Sequence, residues 1–262
     1  MAQYSAHRNE HFNTSNSDVH EVVMLADKDG NILNTSGSAS NIPIAAGLVD
    51  GYGHINKFGA SDGDITAGTI WDGNSGTTVY PYPANSVVAV ASGSNAGANV
   101  YIEGLDASYN AQSETVAIGS SGTKVFSRIF RAYMVDTNND ADVTLSLSSV
   151  VVAKIVEDNG QTLMAVYTVP AGKTAYLMKL QMGSDKASTN SAMSYSLMSK
   201  EITDGGVFRI KGRFFSAGGQ NIITEYPVPL KFNEKTDIKI DCTAAQQSTV
   251  SATFDIILVD NA

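Results

Sequence analysis

Four histidines, His7, His11, His20 and His54, are the chain's readiest general acid–base candidates. Imidazole titrates near neutrality, so it carries much of biological proton transfer. His7 and His11 stand four residues apart, a spacing that on a helix aims both rings at one metal ion. No helical pattern surrounds them and no glutamate-containing zinc motif accompanies them, so no metal is expected. No histidine follows His54, which excludes a Ser-His-Asp or Cys-His system from the later strands. Cys242 is the single cysteine and can form no internal disulfide. It shares one strand face with Ile238 and Ile240 and reads as a small buried hydrophobe.

Other chemistry fails on spacing. Gly172-Lys173-Thr174 resembles the end of a phosphate-binding loop, but Tyr167 stands where the earlier glycine belongs and a strand follows instead of a helix. The loop Asp136–Asp142 places oxygen ligands at alternate positions, as calcium loops do. It lacks the sixth-position glycine, and Leu147 replaces the closing glutamate. A solvated turn and a weak structural cation both stay open there. Glu103, Asp106, Glu114, Glu201 and Asp204 fall in turns or on wet strand faces, without a sugar platform around them. The chain is therefore expected to be no enzyme and to need no cofactor.

Two groups suit contacts rather than reactions. Arg209, Lys211 and Arg213 alternate with apolar neighbours, so three like charges line one strand face. They fit either an edge strand guarded by charge or a salt-bridged contact with an acidic neighbouring subunit. Trp71, Tyr80 and Tyr82 are the candidate glycan platform, should the chain bind host sugars; turn and core packing is the reading favoured over it.

The elements that must position these groups are strands. Ser86–Ala91, Asn99–Glu103, Glu114–Ile118, Val125–Val135, Val143–Leu147 and Val150–Ile155 form a first set. Leu163–Val169, Tyr176–Met182, Ala192–Met198, Phe208–Phe214, Ile222–Pro227, Thr236–Cys242 and Ser251–Val259 form a second. Apolar residues recur at every second position, for example Tyr176, Met178, Leu180 and Met182 on one face, and Ala252, Phe254, Ile256 and Leu258 on another. Residues 20–33 read as a small hairpin, and 34–86 as a long irregular stretch. The expected architecture is all-β: an N-terminal arm and hairpin over 1–44, a first β domain over 45–157, and a jelly-roll-like β-sandwich over 158–262.

Composition sets the outer bounds. Of 262 residues, 43% are hydrophobic and 16% charged, enough apolar surface for a packed core. The net charge of −9 offers no general cationic surface for phosphates, so nucleic acid is not an expected partner. No apolar run reaches the length of a membrane span, and residues 1–16 show no signal-peptide core.

Several segments, in order, carry a resemblance. These are Gly53-His54-Ile55-Asn56-Lys57-Phe58-Gly59, Ile70-Trp71-Asp72-Gly73, Val100–Asn110 with Ser113–Val116, Phe130-Arg131-Ala132-Tyr133, and Gly160–Thr174. Together, over roughly residues 50–180, the chain resembles a family of tailed-bacteriophage virion proteins common in marine and environmental phages. The resemblance implies a structural subunit of a viral particle, with a jelly-roll-like C-terminal part and no catalytic residues. Its expected seat is the head or neck, as a capsid decoration or collar component assembled in the host cytoplasm. Its expected partners are other virion proteins and further copies of itself. A tail- or fibre-associated protein that binds host-surface glycans is the alternative.

Overall fold

In the computed structural model, alternation becomes strand along most of the chain. The structure describes strand residues 8–9, 22–23, 25–26 and 32–33, and residues 41–261 apart from 84–85, 92–94, 186–191, 203–205 and 218. His7, His11, His20 and most of the expected arm lie outside the described residues. The chain divides into two units, Met1–Gly53 and His54–Ala262.

The first unit holds short pieces. β1 (Arg8–Asn9) pairs with β2 (Val22–Val23), and β3 (Leu25–Ala26) with β4 (Ile32–Leu33). Leu25 opposite Leu33 and Ala26 opposite Ile32 form the hairpin expected over 20–33. One helical turn follows, α1 (Asn41–Ala45).

The second unit is all β. It opens with β5 (Tyr52–Thr69), which begins at the unit boundary, and continues through β6 (Ser86–Ala91), β7 (Asn99–Leu105), β8 (Ala111–Ala117) and β9 (Ser121–Phe126). Next come β10 (Arg128–Met134), β11 (Val143–Leu147), β12 (Val150–Ile155), β13 (Val166–Thr168) and β14 (Lys173–Ser184). The last strands are β15 (Ala192–Lys200), β16 (Arg209–Ala217), β17 (Ile222–Phe232) and β18 (Asp237–Asp260).

One core lies between two sheets, ordered β10-β7-β8 and β12-β11-β6-β9. Val100, Ile102, Ile129 and Ala132 from the first meet Val143, Leu145, Val152 and Ile155 from the second. Two antiparallel sheets sharing one buried layer make a β-sandwich. A second core is wrapped by the larger sheet, ordered β16-β15-β18-β14-β17, with β5 and β13 also on β18. β18 serves both halves of that sheet. Its start pairs with β15, Tyr195 opposite Cys242, and its end with β14, Leu180 opposite Phe254. The sheet nearly closes on itself, and the whole is of the β-sandwich and jelly-roll class.

Three local expectations change. The stretch 34–86 is not uniformly irregular, because β5 runs for 18 residues through it. Among its residues of described burial, the buried ones are Lys57, Gly59, Ser61, Ile65, Gly68 and Thr69, and Ile65 alone has an apolar side chain, so the alternation does not show as hydrophobicity. Val125–Val135 is two strands, broken at Ser127, whose N–H and hydroxyl turn to the carbonyls of Leu105 and Asp106. Tyr176, Met178, Leu180 and Met182 do not share the inner face. A register shift between Leu177 and Lys179 puts Ala175 and Leu177 inside before it, and Leu180 and Met182 after it.

Candidate subunit interface

β16 ends the path of the large sheet, so one of its edges has no strand partner there. Gly212, Phe214 and Ser216 turn inward, and alternate residues share a face. Arg213 and Phe215 lie on the outer face, but a register shift between Leu197 and Met198 leaves Lys211 unpaired, so the alternation breaks there. Ile210 stands outward opposite Met198 and Arg209 opposite the buried Ser199, and the three charges do not share one face as expected although all are exposed. Arg213 Nε donates to Ser196 Oγ at 3.4 Å, which holds that guanidinium along the strand. Phe215 is 73% exposed, and Ile210 and Val207 are also exposed. A strand guarded by charge alone has no need of exposed Phe and Ile. Arginine mixed with aromatic and aliphatic groups is the composition of a protein contact.

The other end of the path is β17, and it is closed differently. Leu177 pairs with Leu230 but Lys179 with Glu225, so residues 226–229 bulge opposite Met178. That bulge carries Pro227 and Pro229, which have no N–H to offer a further strand. β16 and β17 come close without pairing: a Cβ placed on Gly212 would lie 3.9 Å from the Tyr226 hydroxyl.

Beneath the start of β16 lies a buried charge cluster. Asp237 is fully buried at the head of β18. Its carboxylate accepts from Arg128 Nε at 2.8 Å, Arg128 Nη2 at 3.0 Å, Thr168 Oγ1 at 2.7 Å and Lys200 Nζ at 2.9 Å. Those donors fill the lone-pair sites a carboxylate offers. Burial acts against the charge on Arg128, but the hydrogen bonds and charge of Asp237 outweigh it and hold the guanidinium's pKa above its ordinary value. Arg128 also donates to the Ser127 carbonyl and meets the Tyr109 hydroxyl. The pair joins β10 of the sandwich to β18 of the large sheet.

Aromatic rings complete the cluster. The Lys200 ammonium lies 4.7 Å from the Tyr82 ring and 5.0 Å from Phe208, and Lys239 lies 4.7 Å from Phe208. Phe208 directly precedes β16, so the outer charged strand is anchored at one end to this inner cluster. Such cation–π contacts strengthen when the cation is desolvated.

The structure brings Trp71, Tyr80 and Tyr82 together, but not as an open platform. Trp71 meets Tyr80 edge-on at 5.2 Å, and Tyr80 meets Tyr82 at 4.8 Å. Trp71 and Tyr80 are buried and belong to the sandwich core. A Cβ on Gly73 would sit 2.2 Å from the indole, so the Trp-Asp-Gly sequence is explained by packing. The Tyr80 hydroxyl donates to the Ile129 carbonyl at 2.7 Å, and Asn74 ties Ala67, Thr69, Gly76 and Thr78 into one turn.

The acidic loop is organised by an amide. Asn139 is fully buried, and its Nδ2 donates to the carbonyls of Ala141 and Val156 while its Oδ1 accepts from the Gly160 N–H. Asp142 is salt-bridged to Lys154 at 2.6 Å. No group of three or more His, Cys, Asp or Glu suited to a metal occurs among the described residues. Asn139→Ala is expected to cost about 3 kcal/mol, because several buried backbone groups lose their partner at once. Urea unfolding of the variant against the parent measures it.

His54 opens the second unit and bonds to Asp255 on β18 at 3.4 Å, a carboxylate that also accepts from Asn56. Cys242 is buried in the second core, and burial with the nearby Asp241 pushes its thiol up to about 12. The sequence held no local signal for the Arg128–Asp237 pair, whose partners are 109 residues apart.

No family model matches the chain, and no curated protein matches it. One solved structure aligns over 80% of this chain and 71% of its own, at 11% identity and a TM-score of 0.21. That structure is one of infectious bursal disease virus, Gx strain. At that TM-score the likeness bears on neither the fold nor the function of this chain.

Proposed function

We propose that the chain is a non-enzymatic structural subunit of a tailed-phage particle, an accessory component of the head or neck such as a decoration or collar protein. It is incorporated as a homo-oligomer in contact with other virion proteins. The observation that carries this reading is the exposed strand β16 at the end of the sheet's path, which carries Arg209, Lys211 and Arg213 together with exposed Ile210 and Phe215 around its bulge. That strand rests on a doubly cored β body clamped by buried charge, which suits a particle component that must keep its shape. The tail-glycan alternative loses support with the burial of Trp71 and Tyr80.

The test is incorporation. Particles are assembled with the parent chain or with Arg209→Glu, Lys211→Glu and Arg213→Glu combined, and copies per particle are counted by mass spectrometry. Exposed ion pairs are worth roughly 0.2–1 kcal/mol each, and reversal turns attraction into repulsion, so occupancy should fall at least about tenfold. The purified triple variant should unfold at the parent's temperature. Parental occupancy would remove β16 as the contact, and absence of the parent chain from particles would remove the function.

A further inference from the structure

We propose that the cavity lined by Asn56, Lys57, Phe58, Arg131, Gln161 and Thr162 is a binding site for a small organic carboxylate. It has a volume of about 220 Å³, room for a carboxylate on a short apolar stem with its water. The site lies wholly in the second unit, and the inference stands whether or not the chain sits on a particle.

Two cations converge there. Lys57 is 7% exposed and sits on the inner face of β5. Its ammonium donates to the Phe130 carbonyl and lies 5.6 Å from the Phe130 ring. No other acceptor reaches it among the described residues. A lysine ammonium has three donors, so a buried one with a single acceptor is under-satisfied. Arg131 stands at the rim, its Nη1 3.7 Å from Glu103 and its guanidinium carbon 5.0 Å from the Tyr133 ring. That long ion pair leaves the planar fork able to grip a carboxylate.

The remaining wall fits the same ligand. The Thr162 hydroxyl accepts the Ala132 N–H at 3.0 Å and so has its own hydrogen to give. Gln161 adds an amide, and Phe58, 37% exposed, supplies the apolar side for a stem.

The electrostatics agree. Burial first, and then the Arg131 charge, lower the Lys57 pKa to about 7, with Glu103 opposing them. Folded Lys57 thus binds fewer protons than unfolded Lys57 between pH 7 and the ordinary value of 10.5, and stability rises with pH across that window. A bound carboxylate favours the ammonium, so binding near neutral pH takes up a proton.

The test uses the full chain with ¹³C-labelled lysine, titrated with sodium butyrate or sodium chloride at matched ionic strength. The Lys57 Cε resonance is followed by NMR from pH 6 to 11. Butyrate should shift that resonance saturably and raise its midpoint by at least about one pH unit, a tenfold change in proton affinity. Chloride should do neither. Lys57→Met removes the reporter, so its binding is read by calorimetry, as is that of Arg131→Gln, whose exposed side chain is not needed for folding. Each should weaken butyrate binding at least about tenfold, the loss of one charge-assisted hydrogen bond. Equal shifts with chloride, no saturation, or unchanged affinity in Arg131→Gln would overturn the site.

Discussion

Asp237→Ala is expected to lower the unfolding free energy by about 3–5 kcal/mol, because it strands two cations in a buried site. The cost follows from what remains, not from the bonds lost. Four hydrogen bonds at about 1 kcal/mol each would suggest a similar figure. The greater effect is that Arg128, itself buried, and Lys200 keep their charges with no carboxylate between them. A domain is stable by only about 5–15 kcal/mol, so the variant stands near its unfolding threshold. Urea denaturation gives the number. Arg128→Met should cost nearly as much, and the double variant Asp237→Leu with Arg128→Met clearly less than the sum, since no uncompensated pair remains. Glu225→Gln, which breaks the exposed 3.7 Å pair with Lys179, sets the scale for a surface contact and should cost under about 1 kcal/mol. A drop for Asp237→Ala no larger than that would show the cluster to be hydrated.

Gly59→Ala is expected to cost about 4 kcal/mol, although it adds a single methyl group. The added carbon would lie 2.2 Å from the Ala165 nitrogen and 2.6 Å from the Ile70 oxygen. Those two atoms are hydrogen-bonded to each other at 2.9 Å. The bond is one side of a closed triangle, since Ile70 donates to Ile240 at 3.0 Å and Ile240 to Ala165 at 3.1 Å. All three residues are fully buried. Neither backbone can retreat without opening the triangle, so overpacking is joined by broken bonds. Thermal denaturation reads the loss. Gly172→Ala is the contrast, because its Cβ meets nothing within 4 Å and its φ of +73° alone opposes the change. That substitution should cost about 1–2 kcal/mol. Parity between the two would mean that β5 yields where it crosses Ala165.

How much of this was legible depends on whether the signal is local. β6, β11 and β12 have the limits read from the sequence, since β6 and β12 are short apolar runs and β11 alternates apolar with hydroxyl residues. β18 was read as two strands, Thr236–Cys242 and Ser251–Val259. The residues between them, 243–250, carry a single large apolar side chain, Val250, and so no hydrophobic alternation, yet the backbone stays extended while its partner changes from β15 to β14. β5 was missed because glycine, serine and a lysine fill its inner positions, and only the tertiary neighbours reveal why. The exposed charges of β16 were visible, but not the bulge at Lys211 that breaks their period of two. The cluster below them was not, because nothing near Arg128 announces Asp237. Trp71, Tyr80 and Tyr82 were correctly seen as neighbours, but spacing cannot tell a platform from a core.

β18 also fixes when the large sheet can exist. Every strand it joins, β5, β13, β14 and β15, is made before it. On the ribosome those strands emerge with their central neighbour still unsynthesised, and their edges must wait, exposed, for β18. Contacts so distant in sequence fold slowly, and waiting strand edges invite association. Quality control is thus built into the order of the chain. A nascent or truncated product lacks both Asp237 and the strand that seats it, so it can present neither the clamp nor the ordered outer face of β16. Only a chain made through β18 presents that strand in place.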